Sequence, residues 1–164
     1  MTKPRNILFI MFDQLRFDYL SCAGHPHLHT PHIDWLASQS VRFDRSYVQS
    51  PVCGASRMSF YTGRYTSSHG ASWNGIPLRV GEWTMGDHLR EAGMDALLLG
   101  KTHMKVDAEG MQRLGLAADS IIGARLAECG FDVLVRDDGL WGTGPDGNYD
   151  EKSSPYNDYL REKG

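Results

Sequence analysis

The chain has 164 residues, of which 41% are hydrophobic and 23% charged, and these proportions exclude an intrinsically disordered protein. Its net charge is −3, and the sequence contains no long run of lysine or arginine, which argues against nucleic acid as a partner. Three widely spaced cysteines exclude a disulfide framework and a paired-cysteine zinc site. No apolar stretch reaches membrane-spanning length, so we expect a cytoplasmic protein that has no membrane partner.

The first elements along the chain indicate a layered α/β domain. The apolar run from Ile7 to Phe12 predicts a strand buried on both faces, and it is too short for the apolar core of a signal peptide. Thr30 and Pro31 predict the start of a helix over "TPHIDWLASQS". The alternation that begins at Val41 predicts a half-buried strand after this helix.

Helical and strand patterns continue through the second half of the chain. Thr84, followed three residues later by Asp87 and then by Gly93, predicts a capped helix that leads into the buried strand "MDALLLG". "LAADSIIGARLAEC" predicts a helix and "FDVLV" a short strand. A long Gly/Asp-rich loop and a last helix, "SPYNDYLREKG", follow. This order predicts an α/β layer architecture.

Two segments near the first helix carry potential metal ligands. Asp13 directly follows the first predicted strand, where a carboxylate can hold a hard cation, or alternatively cap the next turn. "HPHLHTPH" is rich in imidazoles, but Pro26 and Pro31 interrupt it and no cysteine or carboxylate stands at zinc spacing. We predict that this second segment is a solvated loop.

Cys53 is predicted at the amino end of a helix that begins near Ala55. The helix dipole favours an anion there, and Arg57, one turn further on, can donate two hydrogen bonds to a tetrahedral oxyanion. A buried cysteine beside a surface arginine is the alternative interpretation. The spacing of Cys53 and Arg57 argues against the phosphate-binding loop of cysteine phosphatases.

Lys101 and His103 follow the second buried strand. Because alternate residues of an extended chain face the same way, both side chains would point together beyond the strand end. Lysine offers a positive charge to an anionic group, and histidine transfers protons near neutral pH. An exposed pair of loop residues is the alternative interpretation.

Taken together, these motifs resemble those of the sulfatase family. "CGASRMSFYTGRY" is similar to the family signature, "FDQLRFDYL" to its first metal-binding segment and "LGKTHM" to its Gly-Lys-x-His motif. The resemblance implies an alkaline-phosphatase-like α/β fold with helices on both faces of the sheet. It also implies that 1–164 is the amino-terminal part of one catalytic domain, with the active-site motifs in the core, 1–105, and a peripheral substrate-side region, 106–164.

The resemblance implies hydrolysis of sulfate esters, or of related phosphonate and phosphate esters, through a modified Cys53. A maturation enzyme would oxidise Cys53 to formylglycine, and a hydroxyl of the hydrated aldehyde, held on a divalent cation, would attack sulfur or phosphorus. Arg57 would steady this diol and Lys101 would neutralise the oxyanion of the substrate. His103 would hydrogen-bond the diol and assist its collapse.

The implied metal ligands are Asp13, Gln14 and the modified Cys53. Because these are oxygen ligands, the expected cation is Ca²⁺, Mn²⁺ or Mg²⁺. Gln14 stands where enzymes of sulfate esters usually have a second aspartate, and the Asp-Gln pair resembles the phosphonate monoester hydrolase branch. Ala55 stands where proline is commoner, a variant that the family also uses.

Family members are much longer and take further metal ligands and catalytic residues from later segments, whereas no histidine follows His103 here. We therefore expect the amino-terminal part of a longer enzyme, inactive alone, with exposed apolar strand edges. The expected partners are a small-molecule sulfate or phosphonate/phosphate ester and the maturation enzyme, while a homo-oligomer is left open. The alternative function is a non-catalytic anion- or metal-binding module with the same fold.

Overall fold

The computed structural model describes residues 6–117, 120, 129–137 and 155–164. The chain divides into two compact units, Met1–Val48 and Gln49–Gly164, and each is described by itself. Most of the helix predicted over "LAADSIIGARLAEC" and of the Gly/Asp-rich loop lies outside the described residues. Within the described part of the chain, no helix has both the length and the apolar character needed to cross a membrane.

The first unit contains helix α1, Pro31–Gln39, which begins at the predicted proline. Two short 3-10 helices, Phe17–Tyr19 and Ser21–Ala23, precede it. The predicted cap, Thr30, lies at the N-cap position, but its side chain accepts no hydrogen bond from the first turn. Its hydroxyl instead donates to a carboxylate oxygen of Asp34 at 3.0 Å.

Asp34 ties α1 to the chain that precedes it. Its carboxylate accepts hydrogen bonds from the Ser21 hydroxyl at 2.5 Å and from the Cys22 N–H at 2.9 Å. The hydrogen bond from Ser21 is the largest cause of a pKa of Asp34 below its ordinary value, because a hydrogen bond to the charged form favours that form. This polar network, rather than an apolar core, organises the unit, since none of the described residues of 6–48 is buried.

Two strand predictions in the first unit are wrong. The run from Ile7 to Phe12 forms no strand, and Leu8, at 85% exposed, is not buried on either face. The segment from Val41 is also irregular, and Val41 is 80% exposed. An apolar pattern shows only that a segment suits a strand, whereas the strand itself needs a neighbour to share its backbone hydrogen bonds. The sheet that the described residues form includes neither segment.

The second unit alternates helices and strands. Its helices are α2, Cys53–Thr62, α3, Thr66–His69, α4, Met85–Glu91, α5, Ala108–Arg113, and α6, Pro155–Lys163, and its strands are β1, Leu97–Gly100, and β2, Asp132–Arg136. The two strands pair in parallel, with Leu97 opposite Asp132 and Gly100 opposite Arg136. The predictions of α4, of both strands and of the last helix are confirmed. Parallel pairing is the arrangement expected of an α/β domain.

The hydrophobic core of the second unit lies against one face of β1. Leu98 is only 8% exposed, whereas Leu97 and Leu99 are 54% and 69% exposed. The prediction that this strand is buried on both faces is therefore wrong for the described part of the chain, because a second covering layer is needed for the other face. The buried core cluster consists of Met58, Tyr61, Ala71, Leu78, Ala96, Leu98, Met104, Cys129 and Phe131.

Helix α4 packs directly on the turn before β2. The Thr84 N–H donates to the Asp87 carboxylate at 2.9 Å, which is the bond that the N3 side chain makes in a capping box. The Thr84 hydroxyl donates to the same carboxylate at 2.7 Å. The Gly86 N–H donates to the Cys129 carbonyl at 3.2 Å. A Cβ at position 86 would lie 2.4 Å from that oxygen, so only glycine allows this approach. The contact joins α4 to the turn that leads into β2.

Candidate active site

Cys53 is the first residue of α2, so the helix begins two residues earlier than predicted. The thiol is half-buried, and Gly54 and Ala55 behind it are buried. The helix ends at Thr62, and Gly63 after it adopts the left-handed conformation with φ of 66°. A side chain in the first turn of a helix lies near its positive end, where negative charge is stabilised.

Two polar side chains from distant parts of the sequence meet the Cys53 thiol. Nδ1 of His103 lies 3.2 Å from Sγ. Oδ1 of Asn74 lies 3.4 Å from Sγ and accepts a hydrogen bond from the Gly54 N–H at 2.8 Å. The thiol therefore stands beside a group that can exchange a proton and a group that anchors the start of the helix.

Sequence reasoning missed Asn74. Its only local signal is the dipeptide with Gly75, which is typical of a turn and does not indicate a site. A Cβ at Gly54 would lie 2.7 Å from Oδ1 of Asn74, so the glycine next to the cysteine makes room for this amide. The glycine and the amide together account for the contact between this turn and α2.

Arg57 links α2 to the segment that follows β1. It is only 6% exposed, and its Nη1 donates to the Lys101 carbonyl at 2.8 Å. The interpretation of this residue as a surface arginine is therefore wrong. Because Arg57 holds Lys101 and Cys53 contacts His103, the fold brings these four predicted site residues into one region.

His103 has an unusual backbone conformation. Its φ is 59°, in the left-handed region that residues other than glycine rarely adopt. Thr102 before it is fully buried, and its hydroxyl oxygen accepts the Met104 N–H at 3.3 Å. Such a conformation persists where surrounding contacts hold it, which is common at functional sites.

Asp13 and Gln14 lie in the first unit, in the bend that follows Phe12. Both are exposed, and Gln14 has φ of 60°. Carboxylate and amide oxygens suit a hard cation, so the donor chemistry of this pair fits the expected metal. The pair supplies only part of a coordination shell. The described residues contain no group of three or more His, Cys, Asp or Glu that could hold a metal ion.

The histidine-rich segment is a loop that leads into α1, as predicted. Nδ1 of His25 accepts the backbone N–H groups of His27 and Leu28, at 3.2 and 2.8 Å. This ring nitrogen therefore serves the turn. His27 and His29 are exposed.

Sequence reasoning also missed a buried histidine, His69. It is 3% exposed, its Nδ1 accepts the Ala71 N–H at 3.1 Å, and its Nε2 lies 2.9 Å from the Ser59 hydroxyl. Because Nδ1 is an acceptor, the proton of the neutral ring is on Nε2, which donates to Ser59. Burial is the largest cause that lowers the pKa of His69 below its ordinary value. This residue joins α2 to the chain after α3 and does not reach the Cys53 thiol.

The sulfatase family model matches residues 5–132 of this chain. The chain belongs to the sulfatase family. Its relatives include the steryl-sulfatase of Mus musculus, 36% identical over 121 residues, a match that covers 66% of this chain and 19% of the relative. They also include arylsulfatase A of Homo sapiens, 35% identical over 118 residues, which covers 67% of this chain and 23% of the relative. The chain thus spans about a fifth of the length of these curated relatives.

Solved structures similar to this sulfatase-family chain are phosphonate monoester hydrolases. The enzyme from Silicibacter pomeroyi matches with a TM-score of 0.72 and 30% identity, over 98% of this chain and 29% of its own. The enzyme of Agrobacterium radiobacter matches with a TM-score of 0.68 and 27% identity, over 93% of this chain and 27% of its own. The alkaline-phosphatase-like α/β fold class predicted from the sequence is confirmed.

Proposed function

We propose that this chain provides the nucleophile region of a hydrolase that cleaves sulfate esters or related phosphonate and phosphate esters. The observation that carries the proposal is the contact of Cys53 at the start of α2 with Nδ1 of His103, at 3.2 Å from Sγ. The similarity to sulfatases and phosphonate monoester hydrolases supports ester hydrolysis as the reaction class.

A maturation enzyme would oxidise Cys53 to formylglycine, and addition of water to this aldehyde would give the diol whose hydroxyl is the nucleophile. His103 stands where its Nδ1 can take a proton from the atom attached to the Cys53 Cβ and later return it. The first turn of α2 favours negative charge at this position. The chain's own groups would thus assist both the attack and the release of the product anion.

Arg57 and Lys101 are proposed to stabilise negative charge during the reaction. Arg57 carries its guanidinium one turn from Cys53, almost fully buried, where a positive charge acts more strongly than in water. We assign it the role of steadying the modified residue at position 53. We assign Lys101 the role of neutralising the oxyanion of the substrate, because a fixed ammonium group lowers the energy of the negative charge that develops during the reaction.

Asp13, Gln14 and the modified residue at position 53 would hold one divalent cation. The cation would polarise the ester and activate the hydroxyl nucleophile. Ca²⁺, Mn²⁺ or Mg²⁺ is proposed over zinc, because a carboxylate and an amide oxygen are hard ligands. With Gln14 in place of a carboxylate, the pair carries one negative charge less than two aspartates would.

We also propose a cytoplasmic location. The cysteines Cys22, Cys53 and Cys129 form no disulfide with one another. Thiols persist in reducing compartments, whereas secreted proteins tend to pair theirs in disulfides.

Mass spectrometry of the peptide from Ser46 to Arg57 tests the proposal. The chain is produced in a host with and without the maturation enzyme, and we expect the mass of an aldehyde in place of the thiol only in the first case. Cys53→Ala serves as the unmodifiable control. A thiol that stays fully unmodified beside an active maturation enzyme would contradict the proposal and favour a non-catalytic binding module with the same fold.

A further inference from the structure

The segment Lys101–Met104 carries two of the proposed site residues in a conformation that requires support. His103 has φ of 59°, a conformation that costs energy for a residue with a Cβ. The residue would leave this conformation unless contacts on both sides held it there. A change of this backbone angle would rotate the imidazole away from Cys53. The position of Nδ1 therefore depends on whatever holds the two ends of the segment.

Two arginines hold backbone carbonyls at the two ends. Arg57 donates to the Lys101 carbonyl at 2.8 Å, and Arg136 donates from Nη2 to the Met104 carbonyl at 2.9 Å. Hydrogen bonds from a charged donor are roughly twice as strong as neutral ones. His103 therefore lies between two restrained peptide groups.

Arg136 reaches this segment because of the sheet register. It is the last residue of β2 and lies opposite Gly100, the last residue of β1 and the neighbour of Lys101. The Asp137 N–H extends the pairing by donating to the Gly100 carbonyl at 3.1 Å. The end of β2 is thus fixed beside Lys101, at the start of the segment. From there the Arg136 side chain reaches the Met104 carbonyl at the other end of the segment.

We propose that Arg136 is a positioning residue that keeps His103 against Cys53. It lies beyond residues 5–132, which the sulfatase family model matches, and no family motif described above includes it. Met104 is only 7% exposed, so loss of Arg136 would leave its carbonyl without this donor in a place that water reaches poorly. The proposal rests on the proposed function for the role of His103, although its test does not require turnover.

Nuclear magnetic resonance of the isotope-labelled 164-residue chain tests the proposal. In the unsubstituted chain we expect a cross-relaxation signal between the His103 ring and the Cys53 Cβ protons. Arg136→Met should remove this signal. It should also speed hydrogen exchange of the Met104 amide about tenfold or more, because the segment in which the Thr102 hydroxyl holds this N–H opens more easily once the charged hydrogen bond to the Met104 carbonyl is lost. Arg136→Lys keeps a charged donor and should restore both readouts at least in part.

Arg90→Met is the matched control. Arg90 also donates to a backbone carbonyl next to β2, that of Gly130, at 2.5 Å, but it does not touch the segment after β1. This variant should keep the signal between His103 and Cys53. The proposal is overturned if Arg136→Met retains that signal, or if Arg90→Met removes it equally, because the effect would then be general destabilisation. Failure of Cys53 conversion would instead count against the proposed function and leave these readouts unchanged.

Discussion

At the scale of single residues, the arrangement around Cys53 depends on side chains from three separate parts of the sequence. Cys53 stands at the start of α2, Asn74 comes from a turn, and His103 follows β1. The thiol contacts both side chains, while Asn74 also binds the Gly54 N–H. The chemistry of position 53 and the geometry of the helix start can therefore be tested separately.

Replacement of Cys53 tests the chemistry. Cys53→Ala should abolish ester hydrolysis in any form of the enzyme that turns over, because it removes the covalent step, while binding of a substrate analogue is retained. Cys53→Ser should retain a trace of activity in hosts whose maturation enzyme accepts serine. Rates with an aryl sulfate and an aryl phosphonate ester measure this, and full activity of Cys53→Ala would contradict the nucleophile assignment.

Replacement of Asn74 tests the helix start. Asn74→Ala removes the acceptor of the Gly54 N–H, and loss of a comparable side-chain cap costs about 0.5–2 kcal/mol of unfolding free energy. Asn74→Asp replaces the amide oxygen with a carboxylate oxygen that can accept the same N–H, so it should cost less. Urea denaturation of both variants and of the unsubstituted chain measures their free energies of unfolding. If Asn74→Ala were as stable as the unsubstituted chain, the amide oxygen would not be needed at the helix start.

At the scale of elements, α2 is joined to α3 by a buried polar contact. The His69 Nε2 donates to the Ser59 hydroxyl on α2, and that hydroxyl lies 3.2 Å from Oγ1 of Thr66 at the start of α3. Nδ1 accepts from the Ala71 N–H, so both ring nitrogens are used only when the ring is neutral.

Acid should therefore weaken this junction. Burial and the Arg64 charge lower the pKa of His69, while Glu82 opposes them. With a folded pKa below the unfolded value, the unfolded chain binds the proton more readily, so the contribution of His69 to stability is complete above the unfolded value. It is lost as the pH falls through that value towards the folded pKa, within the range just below the ordinary histidine pKa of about 6.5.

Urea denaturation at pH 7.5 and 5.5 measures this effect. The unsubstituted chain should lose stability between the two conditions, and His69→Gln should reduce that loss while it lowers stability at pH 7.5. His88→Gln is the control, because His88 lies on α4 and outside this contact. The lowered pKa values of Asp34 and Asp107 affect stability only in more acidic solution, near and below about pH 4. An unchanged pH dependence in His69→Gln would contradict the assignment.

At the scale of the whole molecule, the proposed metal site is the least complete part. A hard cation takes six or more oxygen ligands, whereas Asp13 and Gln14 supply one carboxylate and one amide oxygen. The curated relatives are about five times as long as the matched part of this chain. These two residues therefore do not complete the proposed site by themselves.

We expect that the 164-residue chain alone, even with Cys53 converted, does not hydrolyse aryl sulfate or aryl phosphonate esters with multiple turnovers. Water would have to complete the coordination shell, so the cation would be held weakly. Assays with added Ca²⁺, Mn²⁺ or Mg²⁺ measure this, and Asp13→Asn serves as a control for metal-dependent background. Repeated turnover by the unsubstituted chain that depends on Asp13 would contradict the expectation.

Local sequence signals predicted those elements whose cause is local. Thr84 and Asp87 stabilise the start of α4 through contacts within one turn, and Pro31 marks the start of α1. The placement of Cys53 at a helix start and of His103 beyond a strand also followed from local patterns. The family resemblance was readable because its motifs are short and contiguous.

Tertiary structure alone decided the features that depend on a distant neighbour. The apolar run from Ile7 has strand composition, but it forms no strand and does not join the sheet of the described residues. Asn74, His69 and Arg136 acquire their roles from atoms that lie far away along the chain, and no local pattern marks them. The sequence by itself determined the family, the local elements and the reactive residue types. The folded chain determined which of these side chains meet, because a hydrogen bond requires two groups to come within about 3 Å of each other, whatever their separation in sequence.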